Sequence, residues 1–266
     1  MVISAILYHG DAIEVMKQLK DESIDLVLTD PPYNVSENST IIKDNKNGKI
    51  RYIGLDAYWD KIPEEDYFKL IYGFLDETYR VLKKSGSLIC FTSDTYLSYL
   101  RKYIINKGMV YRQTCVWIKS NPIPQFRKVK FMHATELFFC ANKQKGFDSF
   151  RWEEGERSNV FFHPSVQGAE RLDHPTQKPV WLMKELIKYY TKEGDMVLDP
   201  FVGSGTTMEA AMALKRNSIG IEINDEYISM IAKRLNKYTQ QTDLNGNKFN
   251  FQIIEYKKQE VKNENY

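Results

Sequence analysis

The sequence predicts an α/β fold on a largely parallel sheet, and three observations predict it. Short apolar runs alternate along the chain with amphipathic segments of helical period. The chain opens strand-helix-strand, with an acid following each of those strands, Asp11 and Asp30. Much later, Leu198–Thr207 reads as a strand, a glycine turn and the start of a helix. The chain has 266 residues, 42% hydrophobic and 27% charged, enough for one large α/β domain or a domain with a small added lobe.

In order, Ala5–Tyr8 reads as a strand and Asp11 as the N-cap of a helix over Ala12–Leu19. Ile24–Thr29 is continuously apolar apart from Asp25 and reads as a buried parallel strand ending at Asp30. Residues 34–60 are polar and irregular. A loop of that length is either a lid or DNA-contacting loop, or a surface excursion. Pro63–Leu82 is an amphipathic helix that Ser85-Gly86 ends; Ser87–Phe91 is the next strand and Thr95–Asn106 the next helix. Met109–Ile118 and Glu136–Ala141 read as strands. Their connection carries Lys119, Arg127, Lys128 and Lys130 among Pro122, Pro124 and Phe126, a stretch suited to phosphate or simply to solvent. Residues 142–173 break the rhythm and read as a small insertion without a core of its own. Val180–Tyr190, Thr206–Leu214 and Asp225–Tyr238 are helices, the last with Asp225 as N-cap. Met196–Asp199 and Ser218–Ile223 are strands, and Phe249–Ile254 is one further strand-like run before a charged tail. Seven strands, ending near Tyr8, Asp30, Phe91, Ile118, Ala141, Asp199 and Ile223, make the expected sheet.

Composition narrows the function classes. A net charge of +2 and a pI of about 8.2 mean that any nucleic-acid surface is a local patch. Cys90, Cys115 and Cys140 lie in apolar runs without a C-x-x-C pair or a Cys/His cluster. They read as buried free thiols in a reducing compartment, with neither a metal site nor a disulfide framework. Residues 1–8 have no signal-peptide pattern and no apolar run reaches membrane-spanning length, so the expected location is cytoplasmic.

Three motifs carry chemistry. Asp30-Pro31-Pro32-Tyr33 stands at the end of a strand, where open α/β sheets bind ligands. The prolines stiffen the turn and remove two donors, leaving acceptors beside an aromatic face. That set suits a planar ring bearing an exocyclic amine; a plain strand-to-loop turn is the bland alternative. Asp199-Pro200-Phe201-Val202-Gly203-Ser204-Gly205-Thr206 is the second. Gly203 and Gly205 permit close approach of a ligand to backbone, and Glu222, at the next strand end, is placed to accept from ribose hydroxyls. No Lys-Ser/Thr follows the glycines, so a phosphate is poorly supported and S-adenosylmethionine suits the pair better. His174-Pro175-Thr176-Gln177-Lys178-Pro179 is the third; Lys178 is placed to pair with a ligand carboxylate, or the prolines merely start a helix.

At these motifs the sequence resembles the DNA amino-methyltransferases that modify adenine N6 or cytosine N4. Asp30–Tyr33 matches their catalytic motif, Asp199–Thr206 their S-adenosylmethionine loop and His174–Pro179 the segment before it. The order, catalytic motif first, is similar to the circularly permuted β group of restriction-modification systems. The resemblance implies a Rossmann-like methyltransferase fold, seven mostly parallel strands with one antiparallel. It implies a catalytic half over 1–142, a target-recognition lobe over 143–173, a cofactor half over 174–240 and an extension over 241–266. It gives catalysis to Asp30, Pro31, Pro32 and Tyr33. It gives the cofactor to Asp11, Asp30, Lys178, Asp199, Pro200, Phe201, Gly203, Ser204, Gly205, Thr206 and Glu222. DNA would meet Lys119, Arg127, Lys128, Lys130, Arg151, Arg157 and Arg171. The implied partners are double-stranded DNA, a second copy of the chain and a cognate restriction endonuclease. The implied reaction is direct methyl transfer to the N6 of a flipped adenine, with N4 of cytosine the nearest alternative. An RNA or protein amide methyltransferase and a non-catalytic DNA-binding relic are the remoter ones.

Overall fold

A computed structural model describes residues 2–34, 40–44, 50–54, 62–124, 128–239 and 246–256. The first half runs β1 (Val2–His9), α1 (Ala12–Met16), β2 (Ile24–Thr29), β3 (Thr40–Asp44), β4 (Ile50–Gly54), α2 (Glu64–Val81), β5 (Leu82–Thr92) and α3 (Asp94–Asn106). The second runs β6 (Val110–Lys119), β7 (Thr135–Asn142), β8 (Val160–His163), α4 (Val180–Tyr190), β9 (Met196–Asp199), α5 (Thr206–Ala213), β10 (Asn217–Glu222), α6 (Asp225–Thr239) and β11 (Lys248–Glu255).

Nine strands form the main sheet in the order β11-β1-β10-β9-β2-β5-β7-β6-β8. The seven expected strands lie side by side within it, and among the described residues only β7 runs against its neighbours, pairing antiparallel with β5 and β6. β11 and β8 extend the edges, each parallel to its neighbour.

The sheet is covered on both faces because its strands are apolar on both sides. In β2, Ile24 and Val27 pack toward α2 and α3 with Phe74 and Leu100, whereas Leu26 and Leu28 pack toward α4 and α5 with Leu186 and Ala210. β1 alternates likewise, Ala5 and Leu7 meeting Ile231 and Leu235 of α6. α2 buries Tyr67, Ile71, Phe74, Leu75 and Thr78, the stripe its periodicity predicts.

Several expectations are corrected. α1 stops at Met16, short of Leu19. Ser85-Gly86 does not end α2: the helix ends at Val81 and β5 begins at once. Gly86 instead lies in a register shift, with Leu82 opposite Ile24 but Ser87 opposite Leu26. The segment read as irregular, 34–60, contains the antiparallel pair β3–β4. The insertion contributes β8 to the main sheet, and its Phe161 joins the core beneath α4, which binds 143–173 to the main body. Asn224, not Asp225, caps α6, its Oδ1 accepting from the N–H groups of Glu226 and Tyr227 at 2.8 and 3.2 Å.

The topology places the site. From β2 the chain crosses through α2 to β5 on one side; from β9 it crosses through α5 to β10 on the other. β2 and β9 are neighbours, so a crevice opens between their C-terminal ends, the switch point of the sheet.

Candidate active site

The two motif acids meet at that crevice. Asp30 follows β2 and Asp199 ends β9, and the Thr29 hydroxyl donates to Asp199 Oδ1 at 2.7 Å. A cleft of about 320 Å³ opens here, lined by Asp11, Asp30, His174, Asp199, Gly203 and Glu222 among others. Motifs from both ends of the chain thus share one cavity.

The Asp30 carboxylate is held from two sides. The Tyr33 hydroxyl donates to Oδ1 at 2.6 Å, and Lys178 Nζ donates to Oδ2. Lys178 also lies 3.0 Å from Glu136 Oε2, and Lys119 Nζ lies 2.6 Å from Glu136 Oε1. Burial raises the Asp30 pKa, Lys178 pulls it down and Glu136 pushes it up, with a net rise. Burial likewise opposes ionisation of Glu136 and Lys178. Their mutual charges outweigh it, so Glu136 titrates below and Lys178 above its ordinary value. Each Asp30 oxygen keeps acceptor capacity beyond the one bond it receives. Lys178, expected to pair with a ligand carboxylate, lines the cleft with a side chain 6% exposed and shares its charge between two carboxylates of the chain.

The glycine turn forms the other wall. Gly203 and Gly205 have φ of +50° and +77°, in the left-handed region. Glu222 faces this turn, Oε2 accepting from the Gly203 N–H at 2.9 Å and Oε1 from the N–H groups of Ile223 and Asn224 at 3.0 and 2.9 Å. Burial nevertheless pushes Glu222 up to about 7, and Asp199 up to about 6. Arg234 stiffens the turn from behind, donating to the Ser204 carbonyl at 2.6 Å and to Thr206 Oγ1 at 3.0 Å. On the cleft wall the ring of His174 packs 4.7 Å from that of Tyr227. Its Nδ1 is buried without a hydrogen-bond partner, and burial holds the imidazole neutral, down to about 4. Asp11 Oδ1 accepts from the Glu14 N–H at 3.0 Å, which fixes this carboxylate at the cleft mouth.

A family model for DNA methylases of the N6/N4 type matches residues 24–234. This chain belongs to that family. The methylase is 34% identical over 246 residues to the type II methyltransferase M.HpaI of Haemophilus parainfluenzae, covering 86% of this chain and 73% of that one. It is 32% identical over 245 residues to the type II methyltransferase M.HinfI of Haemophilus influenzae, covering 86% and 67%. Among solved structures, the M1.HpyAVI–SAM complex superposes with a TM-score of 0.70 at 30% identity, over 87% of this chain and 99% of that one. The cytosine-N4-specific PvuII DNA methyltransferase superposes with a TM-score of 0.72 at 19% identity, over 94% and 96%, a likeness of fold. Among the described residues of the methylase no helix is long and apolar enough to cross a membrane.

The basic residues expected at DNA differ in their surroundings. Lys128, Lys130, Arg157 and Arg171 are exposed, Arg171 donating to the Pro175 carbonyl at 3.2 Å, and Arg127 lies outside the described residues. Lys119, expected at phosphate, and Arg151 and Arg157, expected among the base readers, have partners within the chain. Lys119 serves Glu136; Arg151 pairs with Glu154 at 2.8 Å and donates to the Thr191 carbonyl at 3.1 Å; Arg157 pairs with Glu185 at 3.2 Å. The residue that sequence reasoning missed is Glu136. The signal was present: a lone acid near the start of the apolar run Leu137–Ala141.

Proposed function

We propose that this methylase transfers a methyl group from S-adenosylmethionine to the N6 amine of adenine in double-stranded DNA, at a specific sequence and on a base turned out of the helix. The observation that carries the reading is the shared cleft: an acceptor-rich turn at Asp30 and a glycine turn backed by Glu222 line one cavity.

The cavity fits the cofactor by its chemistry. Glu222 and Asp11 offer carboxylates to hydroxyl and amino donors, and His174 Nδ1 offers a buried polar atom without a partner. The Gly203–Thr206 turn, with Asp199, Pro200 and Phe201, would hold the amino-acid portion against backbone. Bound S-adenosylmethionine supplies a methyl group activated on a sulfonium.

The rest falls to the chain. An exocyclic amine on an aromatic ring is a poor nucleophile because its lone pair is delocalised. Asp30 and the Pro31 carbonyl accept hydrogen bonds from that amine, favour a pyramidal nitrogen and stabilise the positive charge that builds there. Pro31 and Pro32 keep the turn rigid, and the Tyr33 ring, its hydroxyl tied to Asp30, offers a face on which the flipped base stacks. Asp at the first position of the motif favours adenine over cytosine by resemblance. Lys128, Lys130, Arg157 and Arg171 are exposed cations suited to DNA. Residues 143–173 are assigned to target recognition, 1–142 and 174–240 to the catalytic and cofactor halves. A second copy of the chain and a cognate endonuclease are the partners this reading expects.

The test is transfer of labelled methyl to mixed-sequence DNA, followed by nucleoside chromatography. Label in N6-methyladenine is expected. Label in N4-methylcytosine would keep the chemistry and reverse the base; label in protein or RNA alone would overturn the reading. Asp30→Ala should abolish transfer and leave cofactor affinity largely intact by equilibrium binding.

A further inference from the structure

Behind Asp30, four charges alternate along one line: Asp30, Lys178, Glu136, Lys119. They come from four places, the end of β2, the residue two before α4, the start of β7 and the end of β6. Their side chains are 22%, 6%, 16% and 18% exposed, and the two negative and two positive charges cancel. Glu136 lines the same cleft, and its ion-pair link to Asp30 runs through Lys178. An ammonium buried against Asp30 alone would concentrate its pairing on that carboxylate and weaken it as an acceptor. Without Lys178, two carboxylates would face one another in a dry site and one would take up a proton.

We propose that Glu136 is a positioning residue for methyl transfer, sharing the Lys178 ammonium so that Asp30 is held in place yet keeps its strength as an acceptor for the target amine. The inference rests on the functional reading above. It treats Lys178 as the bridge and Lys119 as the counter-charge that keeps Glu136 ionised.

The groups that face Asp30 fix what a titration must show. Tyr33 comes from its own turn, Lys178 from the segment before α4 and Glu136 from β7, with Cys90 of β5 and Asp199 of β9 nearby. Cys90 is held as a neutral thiol by burial. Removing the Glu136 charge leaves Lys178 to Asp30 alone, so Asp30 should titrate lower. Removing the Lys178 charge should make it titrate higher.

The experiment follows the Asp30 carboxyl by carbon NMR across pH in the ligand-free protein, and kcat and KM for DNA in parallel. In Glu136→Gln the Asp30 titration should fall by about one pH unit. There kcat should fall by up to about 100-fold, with KM for DNA and cofactor affinity near wild type. In Lys178→Met the titration should rise by about one pH unit or more, and Lys178→Arg should return it toward wild type. Unmoved titrations, or a loss in Glu136→Gln that lies wholly in KM, would overturn the proposal. Should Lys178→Met fail to fold, Glu136→Gln decides alone. A wild type that methylates no DNA but shows the opposed titrations would sink the functional reading and leave the clamp standing; an active wild type with unmoved titrations would do the reverse.

Discussion

At Gly203 two constraints coincide. Its φ of +50° costs a residue with a side chain about 1–2 kcal/mol, and a Cβ there would sit 2.8 Å from His174 Nε2. Gly203→Ala should therefore push His174 off the cleft wall and lower S-adenosylmethionine affinity by about 10-fold or more, read by equilibrium binding, while the fold survives. Tyr33 makes the complementary case on the base side. Tyr33→Ala removes both the ring and the hydroxyl that fixes Asp30, and should weaken the flipped-base complex by about 1–3 kcal/mol, read with a fluorescent base at the target position. The residues legible in the sequence, Asp30, Tyr33, Asp199, Gly203 and Glu222, each stand at a strand end inside a local pattern. The unreadable part was pairing. The Lys178–Asp30 contact spans 148 residues, and nothing in either local segment states that the lysine serves the chain's own carboxylate. The partner of Lys119, Glu136 on the next strand, is hidden in the same way.

The elements behind the glycine turn are tied by charge. Glu209 on α5 is 7% exposed, and it pairs with Arg234 and Lys237 of α6. Burial pushes Glu209 up, but Lys237 and Arg234 more than offset that, so it titrates below its ordinary 4.5. Glu209→Ala leaves Arg234 buried with an uncompensated charge and should cost about 3–5 kcal/mol in urea unfolding. Because Arg234 also grips Ser204 and Thr206, the same variant should loosen the glycine turn. At this scale the sequence was most informative where an element has a strong period. The helical stripes of α2, α4 and α6 and the apolar runs of β2 and β5 follow from spacing alone. β8 escaped because only Phe161 of its short span is deeply buried, while Val160 and Phe162 are 43% and 67% exposed. An edge strand with one anchoring residue has too little alternation to be read. The β3–β4 pair escaped because its segment, rich in Asn and Lys, carries a turn composition that hides two short strands. The α2–β5 junction was misread because Ser85-Gly86 serves a register shift within a strand, where the same residues would equally suit a helix stop.

For the molecule as a whole, the acids of the cleft and the acids of its supports pull stability in opposite directions with pH. Asp199 and Glu222 titrate near 6 and 7 in the fold against 3.8 and 4.5 as ordinary side chains, and Asp30 is raised too. A carboxyl raised in the native state adds stability that is complete below its ordinary pKa and is lost as pH rises through the folded value. These groups therefore favour the fold below about pH 4 and withdraw that help by about pH 7. Glu136 and Glu209 are lowered, so their contribution is present above about pH 4.5 and lost in acid. The ligand-free protein should be most stable near pH 5, with Tm about 5 °C lower at pH 8, read by calorimetry at constant ionic strength. Glu222→Gln should flatten the alkaline slope, since it replaces the group that must ionise in a dry cleft with one that stays neutral. Saturating S-adenosylmethionine should flatten it as well, because donors brought to Glu222 stabilise the carboxylate that burial penalises. A wild-type slope unchanged in Glu222→Gln would mean that the pH dependence resides elsewhere, and that Glu222 is already solvated enough to ionise freely before any ligand arrives.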